Sequence, residues 1–142
     1  MNKIVKVRYL PGAHKLSMID IGDWCDLYTY EDVTLEKEGF AYINLGVAIQ
    51  LPYEHEALIA PRSSTFKNWG LIQANSIGII DNSFCGDDDI WMMPVYATRD
   101  VTIPKNTRLC QFRILQNQPR LMLTEVESLG NASRGGWGST GV

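Results

Sequence analysis

The sequence predicts an all-β protein, a jelly-roll-like β-sandwich with a single short helix. Short apolar segments that alternate with polar residues, or that are rich in β-branched and aromatic side chains, recur along the chain. Turn-forming residues separate these segments, and no stretch of helical length shows the apolar period of about 3.6 residues. Many short strands separated by turns are typical of sandwiches and jelly rolls.

Each predicted strand rests on its own pattern. In residues 4–10, apolar side chains at positions 5, 7 and 9 alternate with Lys6 and Arg8, which predicts a half-buried strand. The remaining predicted strands are residues 40–51, 56–60, 70–75, 77–81, 90–97, 108–115 and 121–126. The turn signals between them are Pro11-Gly12, Gly39, Pro52, Asp81-Asn82-Ser83, Pro104 to Asn106, and Gln118-Pro119. Residues 63–69 are predicted to form the one short helix, with a serine able to cap it.

Composition and charge limit the function classes. The chain has 142 residues, 45% hydrophobic and 20% charged, which suits one globular domain. Its net charge of -3 lacks the basic footprint of a protein that binds duplex nucleic acid. An anionic ligand therefore has to be held by local arginines, backbone amides and a metal ion.

The cysteines and the apolar pattern indicate the compartment. Cys25, Cys85 and Cys110 are an odd number without CxxC spacing, so we expect reduced thiols that serve as packing groups. We find no signal-peptide core and no apolar run of membrane-spanning length. We expect a soluble, cytoplasmic protein that contacts neither membrane nor nucleic acid.

The C-terminal segment differs in composition from the rest of the chain. We expect residues 1–129 to form the β-domain and residues 130–142 a flexible glycine-rich arm. Backbone N–H groups of glycines, hydroxyl groups and Arg134 can wrap and neutralise phosphate oxygens. Composition alone also allows a simple disordered tail.

Motifs upstream of this arm complete a recognisable set. They are Gly22-Asp-Trp-Cys-Asp26-Leu27, Pro61-Arg-Ser-Ser64, Asn75 to Gly86 with Gly78-Ile-Ile-Asp81 at its centre, and Arg108-Leu-Cys-Gln111. With the arm, they resemble in order the five motifs of the trimeric dUTP pyrophosphatases (dUTPases). The first motif is degenerate, since the family usually has a Gly-Ala-Gly-Tyr-Asp-Leu-like string there. The acidic run from Asp87 to Asp89 resembles the sequence pattern of the family branch found in Gram-positive bacteria and their phages.

The resemblance implies a reaction and an assembly. It implies Mg²⁺-dependent attack of water on the α-phosphorus of dUTP, which releases dUMP and pyrophosphate, limits uracil incorporation into DNA and supplies dUMP for dTMP synthesis. Asp81 takes the place of the general base, and Gln111 contacts the α-phosphate or the attacking water. From the residues alone, Asp81-Asn-Ser could be only a hairpin turn. The implied assembly is a homotrimer with three shared active sites and a dUTPase-type jelly roll.

The remaining motifs imply sites for the triphosphate and the metal. Arg62 pairs with phosphate oxygens, Ser63 donates near the α–β bridge, and Ser64 adds its amide at the start of the helix. In the arm, the residues implied to close on the terminal phosphates are Arg134, Gly138, Ser139 and Thr140. Asp26 is implied to hold Mg²⁺ through water. Taken alone, Arg62 and Arg108 could be surface charges, and we interpret Arg108 as structural.

The resemblance places base and sugar recognition in the third motif. The hairpin around Asn75, Gly78 and Ile80 is implied to contact uracil, and Phe84, where tyrosine is usual, to underlie the deoxyribose. Core packing is the plain alternative for Phe84. The lid over uracil is Trp137 or the Trp91 region, because Arg134 stands closer to the tail aromatic than in many relatives.

Three other functions stay open. A dCTP deaminase shares the fold, but it needs a glutamate on the strand after the third motif, and residues 90–94 contain none. A phage-type dUTPase can carry an added regulatory role with a protein partner. A purely structural jelly-roll module is the third.

Overall fold

The computed structural model describes residues 2–141, which form eleven strands and one helix. The strands are β1 (Lys6–Tyr9), β2 (Cys25–Tyr28), β3 (Val33–Leu35), β4 (Phe40–Asn44), β5 (Val47–Gln50), β6 (His55–Pro61), β7 (Leu71–Gln73), β8 (Gly78–Ile80), β9 (Met92–Ala97), β10 (Val101–Ile103) and β11 (Arg108–Gln116). The helix is α1 (Thr65–Trp69). Among the described residues, no helix is long and apolar enough to cross a membrane.

Antiparallel pairing arranges the strands in two larger and two smaller sheets. The four-stranded sheet has the order β2-β11-β6-β8, and the three-stranded sheet has the order β4-β9-β7. Strands β1 and β5 form one two-stranded sheet, and β3 and β10 form the other. The predicted all-β sandwich with one short helix is confirmed.

One apolar core lies between the larger sheets. The four-stranded sheet contributes Leu27, Ile59 and Phe112, and the three-stranded sheet contributes Met93 and Val95, all buried in the same cluster. Because side chains alternate between the faces of a strand, the neighbours of these residues point away from the core. On β2 this alternation buries Cys25 and Leu27 and leaves Asp26 half-buried on the outer face.

The predicted strand at 40–51 proved to be two strands. Gly46, with φ of +73°, turns the chain between β4 and β5, and its N–H donates to Asn44 Oδ1 at 2.7 Å. Strand β4 then pairs with β9, whereas β5 pairs with β1. The turn therefore lets one apolar segment serve two sheets.

The predicted strand at 121–126 was wrong, and three short strands escaped prediction. Residues after Gln116 pair with no strand in the described part of the chain, and Leu123 is 92% exposed. The strands that the pattern missed are β2, β3 and β10. They have only three or four residues each, too few for alternation to stand out.

The helix begins at Thr65, two residues after the predicted start at 63. Ser64 occupies the N-cap position without a side-chain cap hydrogen bond, so the predicted serine cap is wrong. Thr65 Oγ1 instead accepts from the Arg62 N–H at 2.9 Å and donates to Leu109 O at 2.7 Å. This buried hydroxyl ties the second motif to β11.

Candidate active site

Three of the predicted motifs meet at one end of the four-stranded sheet. Gln111 on β11 lies opposite Asp26 on β2 and opposite Ala60 on β6. Residues directly opposite one another share a face of the sheet, so the Asp26 and Gln111 side chains both lie on the outer face. Arg62 follows the end of β6 and reaches the same place. The exposed Ser63 and half-buried Ser64 come next, at the start of α1.

Asp26 is the centre of an ion-pair cluster. Its Oδ1 lies 3.1 Å from Arg62 Nε, and its Oδ2 lies 3.8 Å from Arg108 Nη1. Arg62 Nη1 also donates to the Arg108 carbonyl oxygen at 3.3 Å. Two guanidinium groups against one carboxylate leave one excess positive charge, which suits an anionic ligand. Arg108, interpreted from the sequence as structural, is thus part of this cluster through a side chain that is 54% exposed.

Gln111 is held beside the cluster by the second motif. Its Nε2 donates to the Pro61 carbonyl oxygen at 3.1 Å. A β-bulge lies between Arg108 and Cys110, where the pairing with β2 shifts register. Because the bulge inserts an extra residue, Leu109 and Cys110 are both buried while Gln111 returns to the outer face.

The thiols next to this cluster are neutral packing groups. Burial, and after it the negative charge of Asp26, raise the pKa of the Cys110 thiol far above its ordinary value. The same two causes, in the same order, raise the pKa of Cys25. The packing role predicted for these two cysteines is confirmed, but Cys85 is exposed, so the packing prediction was wrong for it.

The third motif forms the edge of the same sheet. Strand β8 pairs with β6, with Gly78 opposite Ile59 and Ile80 opposite Ala57. A Cβ at position 78 would lie 2.9 Å from Ile59 Cβ, so the close approach of these strands requires glycine. Ile80 packs towards the core, which leaves its backbone as the part available to a ligand. Asn75 is exposed at the preceding turn.

Asp81 and Phe84 stand on the turn that follows β8. The Phe84 N–H donates to the Asp81 carbonyl oxygen at 3.0 Å and closes the turn. Both side chains are exposed, so the core-packing alternative for Phe84 does not apply. Asp81 lines an open groove of about 590 Å³ together with Glu56 and residues 117–121.

Asp81 lies away from the other catalytic candidate in the same chain. Ile80 pairs with Ala57, whereas Cys110 pairs with Pro61, further along β6. This offset corresponds to ~13 Å at the rise of a strand, and the chain continues from Ile80 to Asp81 in the direction away from Arg62. The fold therefore brings Asp26, Arg62 and Gln111 together and leaves Asp81 outside hydrogen-bond reach of them.

Among the described residues, no hydrogen bond or ion pair joins the arm to either group of motifs. Its described backbone hydrogen bonds are local, from Ser139 to Gly136 at 3.0 Å and from Gly141 to Gly138 at 3.2 Å. The residues predicted to bind phosphate or base there are all exposed, namely Arg134, Trp137, Gly138, Ser139 and Thr140. The Trp137 ring is fully exposed.

Trp91 requires a correction. Its side chain has no exposed area and contacts Phe112 edge-on, with ring centroids 5.2 Å apart. A ring enclosed in the core has no free face for a nucleobase, so the predicted role of Trp91 in binding is wrong. Trp91 directly precedes β9, where the apolar segment after the third motif enters the core.

Comparisons with known proteins identify the family of the chain. The fold is that of a β-sandwich protein, and the two arginines against Asp26 give one face of its four-stranded sheet an excess positive charge. A family model described as dUTPase matches residues 25–141, and the chain belongs to the dUTPase family. The predicted family resemblance is therefore confirmed.

Sequence relatives place the chain within that family, and a solved structure shares its fold. The SPbeta prophage-derived deoxyuridine 5'-triphosphate nucleotidohydrolase of Bacillus subtilis (strain 168) is 49% identical over 139 residues, which are 97% of this chain and 98% of that protein. The deoxyuridine 5'-triphosphate nucleotidohydrolase of Thermobifida fusca (strain YX) is 33% identical over 118 residues, which are 82% of this chain and 65% of that protein. A mutant Staphylococcus bacteriophage 80alpha dUTPase with dUpNHpp shares the fold at a TM-score of 0.83 and 20% identity, covering 99% of this chain and 100% of that one. The predicted likeness to the Gram-positive and phage branch is confirmed by the Bacillus relative.

Proposed function

We propose that this chain hydrolyses dUTP to dUMP and pyrophosphate by attack of water on the α-phosphorus. The observation that carries the proposal is the cluster of Asp26, Arg62 and Arg108 beside Gln111, on the face that the dUTPase motifs define. The Bacillus relative, 49% identical, is named a deoxyuridine 5'-triphosphate nucleotidohydrolase. In the cell, the reaction would limit uracil incorporation into DNA and supply dUMP.

The triphosphate binds at the positive end of the sheet in this proposal. Arg62 and Arg108 offer N–H groups that are not consumed by Asp26, and the exposed Ser63 hydroxyl stands next to Arg62. Ser64 adds its amide, and Gln111 is placed by Pro61 to contact the α-phosphate or the attacking water. Fixed donors aimed at oxygens that gain charge lower the barrier, because they need no reorganisation during the reaction.

Asp81 orients the water and takes its proton. A carboxylate can do so only within hydrogen-bond reach of that water. Because Asp81 lies ~13 Å or more along the sheet from the Gln111 end of its own chain, the complete site needs Asp81 from a second copy. We infer a homotrimer with cyclic symmetry, in which each copy supplies one part of its neighbour's site.

Exposed apolar surface supports this assembly. On the outer face of the three-stranded sheet, Phe40 lies opposite Tyr96, which lies opposite Ile72, and Tyr42 lies beside them. These side chains are 39% to 66% exposed and form a continuous patch. Residues 121–126 add a second exposed apolar segment that pairs with no strand of its own described chain. Such surfaces mark contacts between proteins.

Asp26 fits the role of a carboxylate that holds Mg²⁺ through water. Its Oδ1 is paired closely with Arg62, but its Oδ2 has only the longer 3.8 Å contact and can accept from a metal-bound water. In residues 2–141, no group of three or more His, Cys, Asp or Glu forms a metal-binding cluster. When bound with the triphosphate, Mg²⁺ would neutralise charge on the phosphate oxygens.

Base and sugar selection fall to the third motif and the arm. The backbone around Asn75, Gly78 and Ile80 contacts uracil, and the exposed Phe84 ring lies under the deoxyribose, where a 2′-hydroxyl would clash. With Trp91 in the core, Trp137 is the aromatic residue that covers the base. Arg134, Gly138, Ser139 and Thr140 then close on the terminal phosphates.

Product analysis with four nucleotides tests the proposal. With Mg²⁺, we expect dUTP to yield dUMP and pyrophosphate, and dTTP, dCTP and UTP to react far more slowly. Chelation of Mg²⁺ should remove most of the activity. Orthophosphate as the first product, deamination of dCTP, or comparable rates with UTP would each contradict the proposed reaction.

A further inference from the structure

We propose that Asn82 is a positioning residue that fixes the Asp81 carboxylate for proton transfer. The inference rests on the proposed function, in which Asp81 is the general base. Asn82 Nδ2 donates to two backbone carbonyl oxygens, that of Pro52 at 2.8 Å and that of His55 at 2.9 Å. These bonds join the turn that carries Asp81 to the turn between β5 and β6.

The turn that receives these bonds is itself firmly held. The His55 N–H donates to the Pro52 carbonyl oxygen at 3.1 Å, and Leu51, directly before it, is buried. On its other side, the Asn117 N–H donates to the Glu54 carbonyl oxygen at 2.8 Å, which connects the turn to the end of β11. Asn82 is therefore bonded to a turn that is held by its own hydrogen bond, by the buried Leu51 and by the end of β11.

Asp81 needs such an anchor because its own surroundings hold it weakly. It is exposed and follows a strand of three residues at the edge of the sheet. Among the described side-chain hydrogen bonds, none involves its carboxylate. Its position is therefore set by the backbone on either side, that is, by β8 before it and, after it, by the turn that the Phe84 N–H closes and Asn82 anchors.

The asparagine carboxamide matches this task chemically. One NH₂ group carries two hydrogens in fixed directions, so a single side chain satisfies both carbonyl oxygens. Asparagine is common in turns because it bonds to its own neighbouring backbone. Here the bonds reach residues 27 and 30 positions away, so the side chain serves the tertiary structure and not merely the local turn.

Removal of the two N–H donors of Asn82 should lower the turnover number strongly and leave the fold largely unchanged. A displacement of about 1 Å in a catalytic group can cost about 100-fold in rate. We expect Asn82→Ala to lower kcat about 10- to 100-fold. We expect the sedimentation coefficient and the affinity for a non-hydrolysable dUTP analogue to change little. Ser83→Ala, in the same turn, is the matched control and should stay near wild-type kcat.

A double-mutant cycle separates positioning from a general loss of structure. If Asn82 acts through Asp81, Asn82→Ala should change kcat by less than about 2-fold in an Asp81→Ala background. An equal loss in both backgrounds, or an Asn82→Ala kcat within about 3-fold of wild type, would overturn the inference. Asn82→Ser, which keeps one donor, enters the same cycle if the alanine variant does not fold, with the same two criteria.

The cycle also separates this inference from the proposed function. A large loss in Asp81→Ala with no loss in Asn82→Ala overturns the role of Asn82 alone. A near-wild-type Asp81→Ala enzyme overturns the role of Asp81 as base, and the role of Asn82 falls with it.

Discussion

Arg62 and Asp26 form a 3.1 Å ion pair between Nε and Oδ1, although they come from different motifs. The pair sits on the outer face of the four-stranded sheet, where Gln111 lies opposite Asp26. It holds the Arg62 guanidinium beside the proposed phosphate site, and the N–H groups that bond neither Asp26 nor the Arg108 carbonyl oxygen stay available. The chemistry of this end of the sheet depends on the pairing of β2 with β11.

Asp26→Asn should weaken the binding of Mg²⁺ and lower the activity. The amide keeps the shape but loses the charge that favours Arg62 and a hydrated cation. We expect the Mg²⁺ concentration at half-maximal activity to rise about tenfold or more. Asp23→Asn, an exposed carboxylate nearby, is the control and should leave that concentration unchanged. An unchanged Mg²⁺ titration for Asp26→Asn would contradict the metal role.

Asp81→Asn should lower the turnover number while substrate binding is retained. Loss of a positioned base costs roughly 100- to 10,000-fold in rate. We expect that loss in kcat, with the affinity for the non-hydrolysable dUTP analogue dUpNHpp nearly unchanged. Glu56→Gln is the matched control, since it removes a carboxylate that lines the same groove. An Asp81→Asn kcat within a few-fold of wild type would make Asp81 only a turn residue.

Tryptophan emission should report closure of the arm. We expect dUpNHpp to quench the emission of this protein, which has four tryptophans, as Trp137 stacks on uracil. Such stacking contributes about 1–3 kcal/mol, so Trp137→Ala should weaken binding measurably. Trp137→Phe should remove most of the quench, and Trp91→Phe should retain it because Trp91 is in the core. A quench that survives in Trp137→Phe and disappears in Trp91→Phe would mean that the Trp91 region covers the base.

A charge on the outer face of the three-stranded sheet should dissociate the proposed trimer. Tyr42→Glu places a carboxylate in the apolar patch, where burial between copies would be costly. We expect a folded monomer in sedimentation experiments, with little hydrolysis of dUTP. Ile4→Glu, on a residue 81% exposed outside the patch, should remain a trimer. A fully active Tyr42→Glu monomer would refute the shared site.

The fold class was predictable from sequence because strand alternation and turn residues repeat over most of the chain. The exceptions have physical causes. Residues 121–126 have strand composition, but a strand needs a partner, and their own chain offers none in the described residues. Strand β2 is four residues long and carries Asp26 on its outer face, so the pattern was too short to detect.

The candidate site was predictable as a set of residues but not as an arrangement. Motif order gave Asp26, Arg62, Asp81 and Gln111, yet only strand register shows that Asp81 lies apart from the others. The Arg108 contact with Asp26 and the Asn82 bonds both join residues far apart in sequence. Trp91 was misassigned because periodicity does not distinguish a buried aromatic from a binding one.

Subunit complementation tests most directly the claim that one site combines Arg62 and Gln111 of one copy with Asp81 of another. Arg62→Ala and Asp81→Ala should each be nearly inactive alone. In a cyclic trimer assembled at random from equal amounts of both, about one quarter of the sites receive both intact residues. We therefore expect the reassembled mixture to recover about a quarter of wild-type activity. A mixture no more active than the sum of its parents, after subunit exchange is verified with two affinity tags, would contradict the shared site.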